Sequence, residues 1–184
     1  MDINLFVNIT AKAWALPILA SLHEGVPGRQ AALLTATGAT RTAFSQSLNH
    51  LMALRLLERN PGHGHPLRPE CRLTPIGQEA ASLAHEIQGL AQDEDRDLLR
   101  RAWTLPVLTS LHQPRFFNDL RRTLPQITDR ALSKSLQSME ERQWVFRQVL
   151  PSTRPPRPLY SSINLGKRIS EITAPQVLAL QDGP

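Results

Sequence analysis

The sequence predicts a mainly α fold with small β-hairpins (α+β), arranged as two tandem units that form a pseudo-dimer within one chain. Three observations carry this expectation. Ala13-Trp14-Ala15-Leu16-Pro17-Ile18-Leu19-Ala20-Ser21-Leu22-His23 recurs as Ala102-Trp103-Thr104-Leu105-Pro106-Val107-Leu108-Thr109-Ser110-Leu111-His112. A Thr-x-x-Ala-x-Ser-x-Ser-Leu stretch runs from Thr40 to Leu48 and again from Thr128 to Leu136. An Arg-Pro pair leads to a glycine at Arg68-Pro69 to Gly77 and at Arg157-Pro158 to Gly166. The offset is 88 or 89 throughout, so the repeat is a whole domain and not a short solenoid module. A chain of 184 residues then divides into residues 1–92 and 93–184. Units this small bury thin cores, so each is expected to gain stability from the other unit or from a second chain.

Within each unit the elements follow from spacing. Trp14, Ile18, Leu22 and Trp103, Val107, Leu111 stand at i, i+4, i+8 and mark a first helix. Pro17 and Pro106 impose either a kink or a helix that starts near the tryptophan. Gly25-Val26-Pro27-Gly28 and Gln113-Pro114 close it with turn chemistry. A short second helix is expected at about 29–36 and 117–124. A third starts at Thr40 or Thr128, whose hydroxyl can accept an orphan amide of the first turn. Phe44, Leu48, Leu51 and Leu132, Leu136, Met139 share one face of it. Short strands at Leu56-Leu57-Glu58-Arg59 and Trp144-Val145-Phe146-Arg147 return through Cys71-Arg72-Leu73 and Leu159-Tyr160-Ser161, with tips rich in proline and charge at 61–66 and 151–156. A last helix follows Thr74-Pro75 and Ser162-Ile163. In the first unit its stripe of Ile76, Ala80, Leu83, Ile87 and Leu90 is expected to carry the chain through acidic Asp93 to Asp97 into the second unit. Three helices followed by a hairpin form the winged helix-turn-helix pattern.

Composition narrows the function classes. Formal net charge is +5, with +1 from residues 1–92 and +4 from residues 93–184. A basic, Arg-dominated surface suits a polyanion. Cys71 is the single cysteine, so no intrachain disulfide forms, which fits a reducing compartment. No apolar run approaches the roughly 20 residues that span a bilayer, and Met1-Asp2 does not open a basic leader. A cytoplasmic, nucleoid-associated protein without membrane partner is expected. No nucleophile elbow, phosphate-cradling glycine loop or zinc-hydrolase helix is present, so no catalytic residue and no enzyme activity are expected. His63, His65 and Cys71 could ligate zinc, but three ligands with no evident fourth read better as turn residues. No metal site and no cofactor are therefore expected. Trp14, Trp103 and Tyr160 read as packing residues, and the matched His23 and His112 as structural residues near a helix end.

In the second unit, Trp103-Thr104-Leu105, Arg115-Phe116-Phe117-Asn118-Asp119-Leu120-Arg121, Leu132-Ser133-Lys134-Ser135-Leu136 and Pro156-Arg157-Pro158-Leu159-Tyr160-Ser161 with Leu165-Gly166 occur in order over most of 101–172. In this the chain resembles the HxlR-type winged-helix transcription regulators. The first unit is similar to a more divergent, MarR-like winged helix through Thr37-Gly38-Ala39-Thr40-Arg41-Thr42-Ala43-Phe44-Ser45-Gln46-Ser47-Leu48. The resemblance implies double-stranded DNA as partner and a fused pair where the family has single units that dimerise. A cysteine that many members carry before the first-helix tryptophan is missing here, so redox sensing is not implied. A basic residue common late in the family's recognition helix is replaced by Ser47 and Ser135, which is expected to weaken or redirect base contacts.

On this reading the third helices meet the major groove. Thr40, Arg41, Thr42, Ser45, Gln46 and Asn49 serve in the first unit, and Thr128, Arg130, Ser133, Lys134 and Gln137 in the second, because Arg suits guanine and Asn or Gln suits adenine. The bland alternative is the solvated face of an amphipathic helix. Asp129 is the awkward member: it would repel phosphates unless it accepts from cytosine N4 or pairs with Arg130. Arg147, Arg154 and Arg157 on the second hairpin would hold phosphates, supplying affinity and register rather than sequence. The first tip, with His63, His65 and Arg68, is expected to hold phosphate less strongly. The function expected is a transcription regulator that binds an imperfect repeat in a promoter. The alternative is a winged-helix protein-interaction module with weak or no sequence-specific DNA binding. A homodimer through the terminal helices, and an unidentified small-molecule effector bound between the units or under the helix at about 74–92, complete the expectations.

Overall fold

The computed structural model describes residues 1–60, 69–150 and 157–178. The expected hairpin tips at 61–66 and 151–156, with His63, His65, Arg68 and Arg154, lie outside the described residues. Two compact units emerge, one comprising Asn8–Gly89 and the other Leu90–Pro184 together with Asp2–Val7.

An N-terminal helix α1 (Ile3–Thr10) comes first. The first unit continues with α2 (Ala15–His23), α3 (Gln30–Thr37), α4 (Arg41–Ala53), β1 (Leu57–Asn60), β2 (Glu70–Leu73) and α5 (Pro75–Leu90). In α2 the tryptophan is the N-cap, so Pro17 falls in the first turn, where the missing N–H costs nothing. The helix therefore starts at the tryptophan and needs no proline kink. Gly38 closes α3 at φ 66°, a left-handed value that suits glycine at a helix end. Thr40 caps α4 by accepting from Ala43 N at 3.4 Å. Phe44, Leu48 and Leu51 are buried beneath that helix, which packs on α2.

The second unit begins with a 3-10 turn (Asp93–Asp95) and α6 (Arg96–Leu99), so α5 ends short of the acidic stretch and does not carry the chain through it. The link is instead fastened to the end of a later helix. Arg142 donates to Glu94 O at 2.6 Å and to Asp97 at 3.0 Å. Arg101 donates to Ser138 Oγ at 2.9 Å. Then come α7 (Thr104–Ser110), β3 (Arg115–Phe116), α8 (Phe117–Thr123), α9 (Asp129–Glu141), β4 (Val145–Leu150), β5 (Arg157–Ser162) and α10 (Asn164–Val177). Trp103 caps α7 and Pro106 sits in its first turn, the same solution as in α2. Thr128 caps α9 by accepting from Ala131 N at 3.2 Å, over buried Leu132, Leu136 and Met139.

Strands β1 and β2 pair antiparallel, with Leu57 opposite Leu73 and Asn60 opposite Glu70. In the second unit β5 is central, between β3 and β4, with Val145 opposite Ser162 and Leu150 opposite Arg157. The extra strand β3 sets Arg115 opposite Tyr160. Where the second unit has that strand, the first has one backbone bond, Cys71 N to Gly28 O at 2.8 Å. A Cβ on Gly28 would be driven into the Cys71 carbonyl, so glycine is what permits that approach.

The repeat extends to backbone detail. Arg55 and Gln143 leave their helices at φ 57° and 58°, and in each unit the next residue closes the helix end, Leu56 N to Leu51 O and Trp144 N to Met139 O. A Cβ at Gly77 would collide with Leu56 O, and one at Gly166 with Trp144 O. These glycines let the last helix lie against the first wing strand. Buried Thr109 and Thr173 in the second unit share a hydrogen bond of 2.8 Å, where the first unit has buried Ala20 and Ala84. Trp14 and Trp103 are only half-buried, whereas Trp144 and Tyr160 are core residues. His23 ends α2 and lies 5.0 Å from the ring of His85, in keeping with a structural role, while His112 is exposed.

Candidate nucleic-acid interface

The capped starts of α4 and α9 decide which side chains face solvent. Once Phe44, Leu48 and Leu51 turn inward, helical periodicity leaves Arg41, Thr42, Ser45, Gln46 and Asn49 on the outer side of α4. By the same reasoning Arg130, Ser133, Lys134 and Gln137 lie on the outer side of α9. Among the described residues Arg41, Arg130 and Lys134 make no ion pair, so their charge is available to a ligand. The oxygens of Thr40 and Thr128 are already used as caps; each hydroxyl retains its proton for a phosphate oxygen. Gln137 donates to Glu141 at 3.1 Å, which holds its amide toward the far end of α9.

Asp129 does not pair with Arg130. Its Oδ1 lies 2.6 Å from Nε of Arg121 on α8, which lowers the local negative potential and ties the first helix of the pair to the second. Asp129 also sits in the first turn of α9, where the helix dipole favours a carboxylate by about 0.3–1 kcal/mol. Ser47 is 2% exposed and Ser135 is half-buried. Both therefore turn from the solvent face of their helix, and the serine replacements remove no cation from the exposed row.

On the second hairpin Arg147 and Arg157 are exposed and lie on neighbouring strands, at either side of the register Gln148 opposite Leu159. Phe146 and Val149 on the same strand as Arg147 are also solvent-facing, at 52% and 48% exposure, a feature that helical and strand patterning did not single out. A groove of about 440 Å³ beside this hairpin is lined by Phe116, Asn118, Asp119, Arg122, Arg157 and Pro158. Arg122 and Asn118 belong to the expected second helix, and Asn118 to the family motif as well, but the sequence assigns neither to DNA, because the third helix is the one expected to meet the groove. No group of three or more His, Cys, Asp or Glu side chains is placed to hold a metal among the described residues. Burial pushes the Cys71 thiol above its ordinary pKa, against an opposing pull from Arg59.

Comparison with known proteins gives this geometry a family. The sequence model described as HxlR-like helix-turn-helix matches residues 98–179. The chain is 30% identical over 105 residues to the uncharacterized HTH-type transcriptional regulator YtfH of Escherichia coli (strain K12), covering 50% of this chain and 82% of that protein. The chain belongs to the HxlR-like helix-turn-helix family. The family model falls on the second unit, whose α8 and α9 form the helix-turn-helix, and the family is one of transcription regulators. Among solved structures, a transcriptional regulator of the MarR family from Porphyromonas gingivalis W83 aligns at TM-score 0.41 with 20% identity, covering 50% of this chain and 89% of that one. The reduced form of the transcriptional regulator YodB from B. subtilis aligns at TM-score 0.40 with 25% identity, covering 49% and 87%. No single helix among the described residues is long and apolar enough to cross a membrane.

Proposed function

We propose that this DNA-binding transcription regulator covers an imperfect repeat in a promoter, one half-site for each unit of residues 1–92 and 93–184. The observation that carries the reading is the pair of matched helices α4 and α9. Each is capped by a threonine and each presents an outward polar and cationic row. Arg41, Thr42, Ser45, Gln46 and Asn49 would meet the groove in one half-site, and Arg130, Ser133, Lys134 and Gln137 in the other, with Thr40 and Thr128 toward phosphate. Arg147, Arg154 and Arg157 would hold the backbone beside the second half-site and fix register. Two recognition helices set in successive major grooves stand about 34–36 Å apart, so one chain would do what a homodimer of single units does.

The repeat is imperfect because the faces differ. Unit two brings two cations on α9 where unit one brings Arg41 alone on α4, while the described strands of each hairpin carry two arginines, Arg147 and Arg157 against Arg59 and Arg72. The protein acts by binding and not by catalysis, in the cytoplasm and on the nucleoid. Pairing of two chains through terminal helices would extend the site to four half-sites. A groove of about 470 Å³ lined by His112, Gln113, Ser161, Ser162, Lys167 and Glu171 lies at the base of the second hairpin and is the place favoured for a small effector. Selection of bound fragments from a random DNA pool tests the proposal. Two unlike half-sites one helical turn apart support it, and a single half-site or a true palindrome contradicts it.

A further inference from the structure

The first residue of each recognition helix occupies the same place in the repeat, directly after the capping threonine, and the two carry opposite charges. Arg41 opens α4 and Asp129 opens α9. Both side chains are exposed. Residues at the N-terminal end of a recognition helix are the ones that reach base edges in the major groove. There an arginine donates to guanine O6 and N7, whereas a carboxylate accepts from cytosine N4.

A lone carboxylate at that place would be pushed off by phosphates, and the structure supplies what counters this. Arg121 holds Asp129 Oδ1 at 2.6 Å, while the Asp129 side chain stays 75% exposed and that of Arg121 only 34%. Nη1 of Arg121 is buried without a hydrogen-bond partner among the described residues, so the guanidinium is set into the domain, with Nε in ion-pair range of the carboxylate. Oδ2 of Asp129 makes no bond among the described residues and remains an acceptor. In the first unit α3 (Gln30–Thr37) carries no arginine or lysine, and Arg41 itself stands where Asp129 does. The anchored carboxylate thus belongs to the second unit alone.

We infer that Arg41 and Asp129 are specificity-determining residues that read opposite members of a G·C pair, guanine in the first half-site and cytosine at the homologous position of the second. This rests on the two-unit reading above and sharpens it, because it states where the two half-sites must differ.

The full chain and three variants, Arg41→Ala, Asp129→Asn and Asp129→Glu, are each taken through selection from a random DNA pool, with thermal melts to confirm folding. Asparagine keeps an acceptor for Arg121 but replaces the second oxygen by a donor, so Asp129→Asn should lose the cytosine preference, by roughly 5- to 100-fold in relative affinity, in favour of adenine. Asp129→Glu retains a carboxylate and should retain cytosine. Arg41→Ala should lose guanine in the other half-site only. A purely structural role for the Arg121–Asp129 pair would alter stability or overall affinity without exchanging one base for another. An enriched site with the same bases for wild type and Asp129→Asn overturns this assignment and leaves the two-unit reading standing. A wild-type pool with no enriched sequence overturns both.

Discussion

Replacing Gly166 by alanine tests the device that seats the last helix against the second hairpin. A Cβ at that position is driven into Trp144 O and lies 2.9 Å from the Trp144 carbonyl carbon and 3.0 Å from its Cβ. The obstacle is backbone, so no side chain can swing aside. Either the start of α10 or the first residues of β4 must move, and the bond from Ile163 N to Trp144 O, 2.8 Å long, is strained with them. Overpacking of this kind costs about 1–3 kcal/mol, and a weakened buried hydrogen bond adds about 1 kcal/mol. Alanine returns up to about 1 kcal/mol as a better helix former. The net loss should be about 1–3 kcal/mol, which in a unit of this size lowers Tm by roughly 4–8 °C per kcal/mol. Gly77→Ala meets Leu56 O in the same manner and should behave alike. At Gly89, near the end of α5, an added methyl would have nothing within 4 Å, so Gly89→Ala should be neutral or stabilising. Thermal unfolding followed by circular dichroism reads all three. Equal stability of the Gly166 and Gly89 variants would refute the close-approach account of the repeat.

The backbone outliers offer the converse test: Gln143 holds φ 58°, which costs a non-glycine residue about 1–2 kcal/mol, while glycine loses about 0.5–1 kcal/mol through entropy. Gln143→Gly should therefore leave stability unchanged or raise it by up to about 1 kcal/mol in denaturant melts, and a clear loss would contradict the assigned geometry. Folding raises the Cys71 pKa above 9.0 by desolvation, so above that pH the unfolded chain releases a proton that the folded chain keeps. Stability should accordingly fall as pH climbs past 9.0, and the thiol should alkylate far more slowly in the native than in the denatured chain at neutral pH; equal rates would place Cys71 outside the core. On DNA, Arg130→Ala and Lys134→Ala should damage specific binding more than Arg154→Ala, which should lower affinity across all sequences. Equal loss of specificity from the Arg154 variant, read by competition binding, would contradict the division between recognition helix and wing.

The helix-turn-helix segments were legible because their signals are local. Thr40 and Thr128 announce their own caps, and Phe44, Leu48, Leu51 with Leu132, Leu136, Met139 announce the buried face within a single helix. Gly77 and Gly166 were visible as a repeat, but the carbonyls they approach belong to other elements, so their purpose shows only in the folded chain. Strand β3 escaped because two residues, Arg115 and Phe116, show no period, and it exists only through pairing with distant Tyr160 and Leu159. Helix α1 escaped because it shares no sequence pattern with its counterpart in the second copy, α6, although the two helices end 89 residues apart at Thr10 and Leu99. Arg55 and Gln143 conceal left-handed turns, since neither is the glycine or asparagine that signals one. In the interface, exposed rows could be read from periodicity, whereas the partner of Asp129 could not: Arg121 is eight residues away on another helix, and Arg130 was the neighbour that sequence suggested. Ser47 and Ser135 misled for the same reason, because a motif position does not state which way a side chain turns.

The salt dependence of binding tests the central claim most directly. Arg130, Lys134, Arg147, Arg154 and Arg157 of the second unit with Arg41 of the first are the six cations assigned to DNA. If each displaces one counterion from the duplex, the slope of log K against log salt should be about −5.4, a loss of roughly 1,800-fold between about 50 and 200 mM salt. Fluorescence anisotropy with a selected site measures that slope, and Arg41→Ala should make it shallower by about 0.9 if the first unit touches DNA. A slope of about −5.4 that falls in magnitude with Arg41→Ala is the result predicted for two units on one duplex. Binding that ignores salt, or no binding at low salt, would contradict it.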